Sequence, residues 1–312
     1  MHMADALISP AVGATLWVAA GTTLAWCSRR LRQDRQERLV PLMGVLGAFV
    51  FAAQMINFAI PATGSSGHIG GGLLLAILLG PHAAFLAIAS VLTVQALFFA
   101  DGGLLALGAN ICNLGLFPCC VGYLLVYRPL LGADPLSSSP RRVGVATVLA
   151  AIVGLQLGAL GVVLETLLSG ISSLPVGAFL LLMQPIHLAI GLAEGMATAA
   201  VVLFMRRARP DLFAATAAAP SLKPLLCAVG LAAALTAGIG SWFAATQPDG
   251  LEWSVAHASG AAALPHAEQS AAAAEWPAVD SNTSLAGLIG AAATLGLVTG
   301  IGYLLRRRPS LE

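Results

Sequence analysis

Nine apolar runs separated by basic clusters constrain this chain more than any other feature. They lie near 8–27, 40–60, 69–79, 82–99, 103–127, 143–169, 175–205, 222–244 and 284–305. About 20 apolar residues suffice for a helix that crosses a hydrocarbon layer. Of the 312 residues, 58% are hydrophobic and only 9% are charged, against about 25% charged in a soluble domain. The fold class is therefore all-α, a polytopic integral membrane helix bundle. A seven-segment body at 1–206 precedes a linker at 207–221 and a two-helix C-terminal hairpin at 222–312.

Lys and Arg favour the cytoplasmic side of a membrane. The basic clusters are Arg29 to Arg38, Arg128 with Arg141 and Arg142, Arg206 to Arg209, and Arg306 to Arg308. Read as one helix, 69–99 puts Arg128, Arg141 and Arg142 outside. Broken at Gly80–Pro81, where proline removes a donor and clashes with the preceding turn, it puts every cluster inside. The break is therefore adopted, and the N-terminus is expected outside. An eleven-residue helix at 69–79 reaches about 17 Å, roughly half the hydrocarbon thickness. The loop PATGSSGH at 61–68 must then dip inward and leave His68 near mid-depth. Irregular backbone at that depth needs protein or a water-filled cavity around it. The outer loop at 245–283, rich in Ala, Ser and Pro, reads as loosely ordered.

The composition excludes several function classes. A net charge of +1 offers no nucleic-acid surface. The only lysine, Lys223, sits in SLKP, without the glycine loop and Gly-Lys-Ser/Thr of a phosphate-binding site. An ATP-driven role therefore needs a partner's motor. Five cysteines (Cys27, Cys112, Cys119, Cys120 and Cys227) form no CxxC pair and read as small apolar packing residues. No basic residue precedes the first apolar run, so a signal peptide is not indicated. Methionine removal favours a small second residue, so Met1 is expected to remain ahead of His2.

Met1 and His2 form a ready chelator. The α-amine, the His2 backbone nitrogen and the His2 imidazole close a five- and a six-membered ring around one ion. His68, in GSSGHIGGG, is the candidate for the fourth nitrogen. Planar nitrogen donors suit Ni²⁺ or Cu²⁺, whereas zinc prefers a tetrahedron. Such ligands must shed protons, so binding weakens in acid. Asp5 is placed to orient the chelating loop or to cap the first helix near Ser9–Pro10. Asn57, Gln95, Asn110, Asn113, Gln156, Glu165, His187 and Glu194 lie within apolar runs, where polar groups are expensive and functional by default. His187 and Glu194 are seven apart and share a helix face. They can serve an ion path, an interhelical hydrogen bond or a partner contact. His82 reads as interfacial, and His257 and His266 as residues of a solvated loop.

MHMADALISP at the start, VPLMGVLGAFVFAAQMINF at 40–58, SSGHIGGGLLLAILLGP at 65–81, VQALFFADGGLLALGANICNLG at 94–115 and HLAIGLAEG at 187–195 resemble one family. It is the substrate-binding M subunit, or S component, of energy-coupling-factor (ECF) nickel/cobalt transporters of the NikM/CbiM type. The hairpin, with QPDGLEW at 247–253, resembles the small PDGLE-type N subunit, so the chain looks like an M–N fusion. His82 stands where the family often has tryptophan, and Ala6 where glycine is common. The resemblance implies metal ligation by Met1, His2 and His68. It also implies an ATP-binding-cassette ATPase subunit and a transmembrane coupling (T) subunit as partners, and a bacterial plasma (inner) membrane location.

The expectation is thus a metal-capturing subunit of an ATP-driven importer that takes Ni²⁺ or Co²⁺ from outside, with no enzyme activity and no cofactor of its own. Two other classes are weighed. A self-sufficient secondary permease would need a coupling-ion route through Glu165, His187 and Glu194. An intramembrane metalloenzyme would need a ligand position open to water, and the chain has no HExxH.

Overall fold

The computed structural model describes residues 2–33, 38–132, 137–213, 220–259 and 281–305. Its helices are α1 (Pro10–Gln33), α2 (Leu39–Gln54), α3 (Gly72–Leu79), α4 (Pro81–Phe98), α5 (Leu107–Leu131), α6 (Pro140–Ser169), α7 (Val176–Ala208), α8 (Lys223–Gly238), α9 (Gly250–Ala258) and α10 (Ser281–Leu305). Each of the nine apolar runs overlaps one of them. Among the described residues six helices are long and apolar enough to cross a membrane, namely α1, α4, α5, α6, α7 and the Thr283–Leu305 part of α10. The chain is a multi-pass membrane protein.

The other three apolar helices fall short of a full span. α2 and α8 have 16 residues each, about 24 Å at 1.5 Å per residue. α3 has eight, Gly72–Leu79, rather than the eleven expected from 69–79. Its first residue follows Gly71, whose φ of 74° is left-handed, a conformation that glycine adopts without steric cost. At its other end Gly80, also left-handed at φ 79°, hands the chain to Pro81 in the first turn of α4. Proline is tolerated there because that turn's N–H has no intrahelical acceptor. The break expected at Gly80–Pro81 is present.

Apolar residues run on to Ile60, yet α2 stops at Gln54. Beyond it, β1 (Phe58–Ile60) and β2 (Ser65–Gly67) form an antiparallel hairpin in which Phe58 pairs with Gly67 and Ile60 with Ser65. Strand pairing satisfies backbone that a helix no longer serves. The turn carries a left-handed Gly64. His68 leaves this hairpin directly.

Of the loop at 245–283, residues 245–259 are described and include α9, while 260–280 lie outside the described residues. Within it Asp249 caps α9. The Asp249 carboxylate accepts the Glu252 N–H at 2.8 Å, and the Glu252 carboxylate accepts the Asp249 N–H at 3.1 Å. This reciprocal capping box satisfies two otherwise orphaned donors. The buried side chains of Leu251, Ser254 and Val255 then fix the helix against the body. The hairpin helices α8 and α10 both pack on α2. Gly44 and Gly47 of α2 lie under Thr299 and Val298 of α10, the small-residue approach that lets membrane helices meet closely.

Candidate metal centre

The N-terminal segment is strapped down by α5, the turn that precedes it and the end of α6. Asn110 of α5 holds Met3 at two points: its Oδ1 accepts the Met3 N–H at 2.6 Å, and its Nδ2 donates to the Met3 carbonyl at 3.1 Å. Met3 is fully buried. Asp5 accepts the Ala106 N–H at 2.8 Å. Asp5 thus ties the segment to the start of α5 and not to α1, and the adjoining Gly103 leaves room for its carboxylate. Further on, Ser9 donates its N–H to Ser169 Oγ at the end of α6.

Those straps bury His2 and set its ring against His68. The centroids are 5.1 Å apart and the planes 16° from parallel. The structure therefore brings together the two sequence-selected imidazoles from segments 66 residues apart in the chain. Met1 lies outside the described residues. His68 has its Nδ1 at 3.1 Å from the Ile69 carbonyl. That contact assigns the proton to Nδ1 and leaves Nε2 as the lone-pair donor. Burial pushes the His68 imidazole down to about 4, so the ring is neutral, as a ligand must be.

His2 is held differently. Its Nδ1 meets the Asp101 carboxylate at 3.0 Å, while its Nε2 is buried without a hydrogen-bond partner. Partial burial works to raise the Asp101 carboxyl, but the adjoining His2 ring holds it below its ordinary range. Asp101 lies half-exposed on a turn where Ala100 adopts a left-handed φ of 51°, a strained geometry for a residue with a Cβ. Only Nδ1 can close the six-membered chelate ring with the His2 backbone nitrogen. Asp101 therefore occupies the nitrogen that the expected chelate would use. Sequence reasoning missed Asp101. Its signal was a carboxylate in an Ala-Asp-Gly-Gly turn after an apolar run.

The loop carrying His68 is clamped from three sides. Glu194 of α7 is buried and accepts the Gly70 and Gly71 N–H groups at 2.8 and 2.9 Å. Gln54 Nε2 donates to the Gly70 carbonyl at 2.6 Å, and Gln95 Nε2 supports Gln54 Oε1 at 2.7 Å. From the hairpin side, Ser66 donates its N–H to the Pro248 carbonyl at 2.8 Å and its hydroxyl to the Gln247 carbonyl at 2.7 Å. The PDGLE segment is thus stitched to the strand that precedes His68.

The other flagged residues fall elsewhere. Glu165 is buried on α6 and accepts from Asn113 Nδ2 with both carboxylate oxygens. His187 is fully buried, with Nδ1 at 2.7 Å from the Met183 carbonyl. His82 packs edge-on against Trp26, and His257 stacks on Trp253. His266 lies outside the described residues. All five cysteines are free. Among the described residues no group of three or more His, Cys, Asp and Glu side chains is arranged to hold a metal.

Residues 2–212 match the CbiM family, the cobalt uptake substrate-specific transmembrane region, and residues 223–307 match the PDGLE domain. The chain is 37% identical over 218 residues to a putative fused nickel transport protein NikMN of Archaeoglobus fulgidus, which covers 70% of each. It is 33% identical over 269 residues to the fused nickel transport protein NikMN of Rhodobacter capsulatus, covering 78% of this chain and 75% of that one. A crystal structure of a truncated transition metal transporter superposes with a TM-score of 0.58 at 29% identity, over 67% of this chain and 99% of that one. Sequence motifs, helical architecture and solved neighbour agree, and the chain belongs to the CbiM family, with a PDGLE domain joined to its C-terminal side.

Proposed function

We propose that this chain is the metal-capturing subunit of an ATP-driven ECF-type importer, and that it takes Ni²⁺ or Co²⁺ from the extracytoplasmic side. Its relatives named as nickel or cobalt transport proteins support the cargo class. In this reading, 1–206 is the M-type metal domain, 207–221 a cytoplasmic linker and 222–312 the N-type hairpin. The membrane is the bacterial plasma (inner) membrane, with the N-terminus outside. The partners are an ATP-binding-cassette ATPase and a transmembrane coupling subunit, because the chain has no Gly-Lys-Ser/Thr loop of its own.

The ion sits between the Met1 amine, the His2 backbone nitrogen, His2 Nδ1 and His68 Nε2. The observation that carries this is the buried, stacked pair of His2 and His68 at 5.1 Å. In a planar site with metal–nitrogen bonds of about 2.0 Å, the nitrogen trans to the backbone amide is cis to the His2 imidazole. Two cis imidazoles lie side by side, as these do. A deprotonated amide is a strong-field donor and favours planar nickel over cobalt. Loading requires Asp101 to yield His2 Nδ1.

The decisive measurement is equilibrium dialysis of Ni²⁺ against the purified chain. Wild type is compared with His2→Ala, His68→Ala and a form extended by one residue before Met1. The expected result is one tightly held ion in wild type and none in the other three. An extended form that binds as tightly as wild type would refute the role of the amine.

A further inference from the structure

We infer that His187 is a second metal ligand of this protein, a transit site for the same ion between the α9 side of the body and the His2–His68 pair. This rests on the four-nitrogen reading above for the identity of the cargo.

The residue is fully buried. Its Nδ1 lies 2.7 Å from the Met183 carbonyl one turn back, which places the ring proton there. Nε2 is left as a lone pair, and it has no hydrogen-bond partner. His68 is set the same way, with Nδ1 on a backbone carbonyl and Nε2 presented. A backbone carbonyl on one nitrogen is the usual arrangement that orients the other nitrogen towards a metal. A histidine kept only for packing has no use for this state. A buried acceptor left unmade is costly, and leucine or methionine would fill the space without that cost.

The surroundings locate the site. The Cε1–Nε2 edge of the ring faces Gly250 in the first turn of α9, 3.2 and 3.5 Å from the point a Cβ there would occupy. Along α7 three contacts follow in order. Glu194 holds Gly70 and Gly71. Ile190 packs on Gly67, where a Cβ would come within 2.6 Å of its side chain. One turn further, His187 meets Gly250, beside the Pro248–Ser66 hydrogen bond. His187 thus continues the track that carries His68, on the side covered by the PDGLE segment. A neutral imidazole suits nickel and cobalt, and a single one holds an ion weakly enough to pass it on.

The test follows Ni²⁺ binding to the purified full chain by stopped flow and by equilibrium dialysis, in wild type, His187→Gln, His187→Cys and His2→Ala. His187→Gln should keep the tightly held ion but load it at least about tenfold more slowly. His187→Cys, which restores a ligand atom, should recover most of that rate. Loading of the Gln variant at the wild-type rate overturns the inference. So does an equal slowing by Gln and Cys, which would mean that the ring only packs. If His2→Ala still binds tightly, the four-nitrogen reading fails instead. Should the His187 variants not fold, Ni²⁺ anomalous scattering from crystals of the His2→Ala chain decides. A peak at bonding distance from Nε2 of His187 supports the site, and its absence overturns it.

Discussion

Glu194→Gln probes whether the clamp on the His68 loop contributes to metal affinity. The carboxylate accepts the Gly70 and Gly71 N–H groups at 2.8 and 2.9 Å, one on each oxygen. Glutamine is nearly isosteric, so packing is kept. One of its terminal atoms is an amide nitrogen, which turns a donor towards one of those N–H groups. The surviving bond falls from charge-assisted to neutral strength, a loss of about 1 kcal/mol, and the other N–H is left unmet at about 1–3 kcal/mol. Relief of the buried charge returns part of this sum, leaving about 2 kcal/mol against the held loop. If the loop must be held for His68 to ligate, apparent affinity falls with the fraction held, by up to about 30-fold. Isothermal titration with Ni²⁺ reads the affinity, and hydrogen exchange at Gly70 and Gly71 reads the loop. A folded variant with unchanged affinity and unchanged exchange refutes the reasoning.

Two further predictions concern the same centre. Asn110→Leu removes both hydrogen bonds to the Met3 backbone and strands a buried N–H and C=O at about 1–3 kcal/mol each. The N-terminal segment should detach, with Ni²⁺ binding lost in dialysis and a protease site gained near Asp5. The pH dependence of stability follows from His68, whose ring burial lowers to about 4 from about 6.5 in an unfolded chain. The unfolded state then binds more protons between those values. Stability is complete above about 6.5 and is lost as pH falls towards about 4, by about 3 kcal/mol in all. Thermal melts in detergent from pH 7.5 to 4 should show this, and His68→Gln should flatten the slope.

Much of the architecture was legible because membrane helices are written locally. Apolar runs marked every bilayer helix, and Gly80–Pro81 marked the break between α3 and α4, since a missing N–H and a clashing ring act within a single turn. The capping box of α9 was equally legible in Asp249 and Glu252, three residues apart, but the Ala-rich composition of the loop masked it. The start of α3 was not legible. Gly70 and Gly71 leave the helix because Glu194, more than 120 residues away in sequence, takes their N–H groups.

By itself, the sequence determined that this is a membrane helix bundle and singled out His2 and His68 as candidate ligands. These follow from composition, residue chemistry and short-range spacing. Only the tertiary structure decided that His2 and His68 meet, that Asp101 holds Nδ1 of His2, that Glu194 grips the loop, and that the PDGLE helix covers His187. Each of those depends on which distant side chain reaches a given backbone group, and no local pattern encodes it.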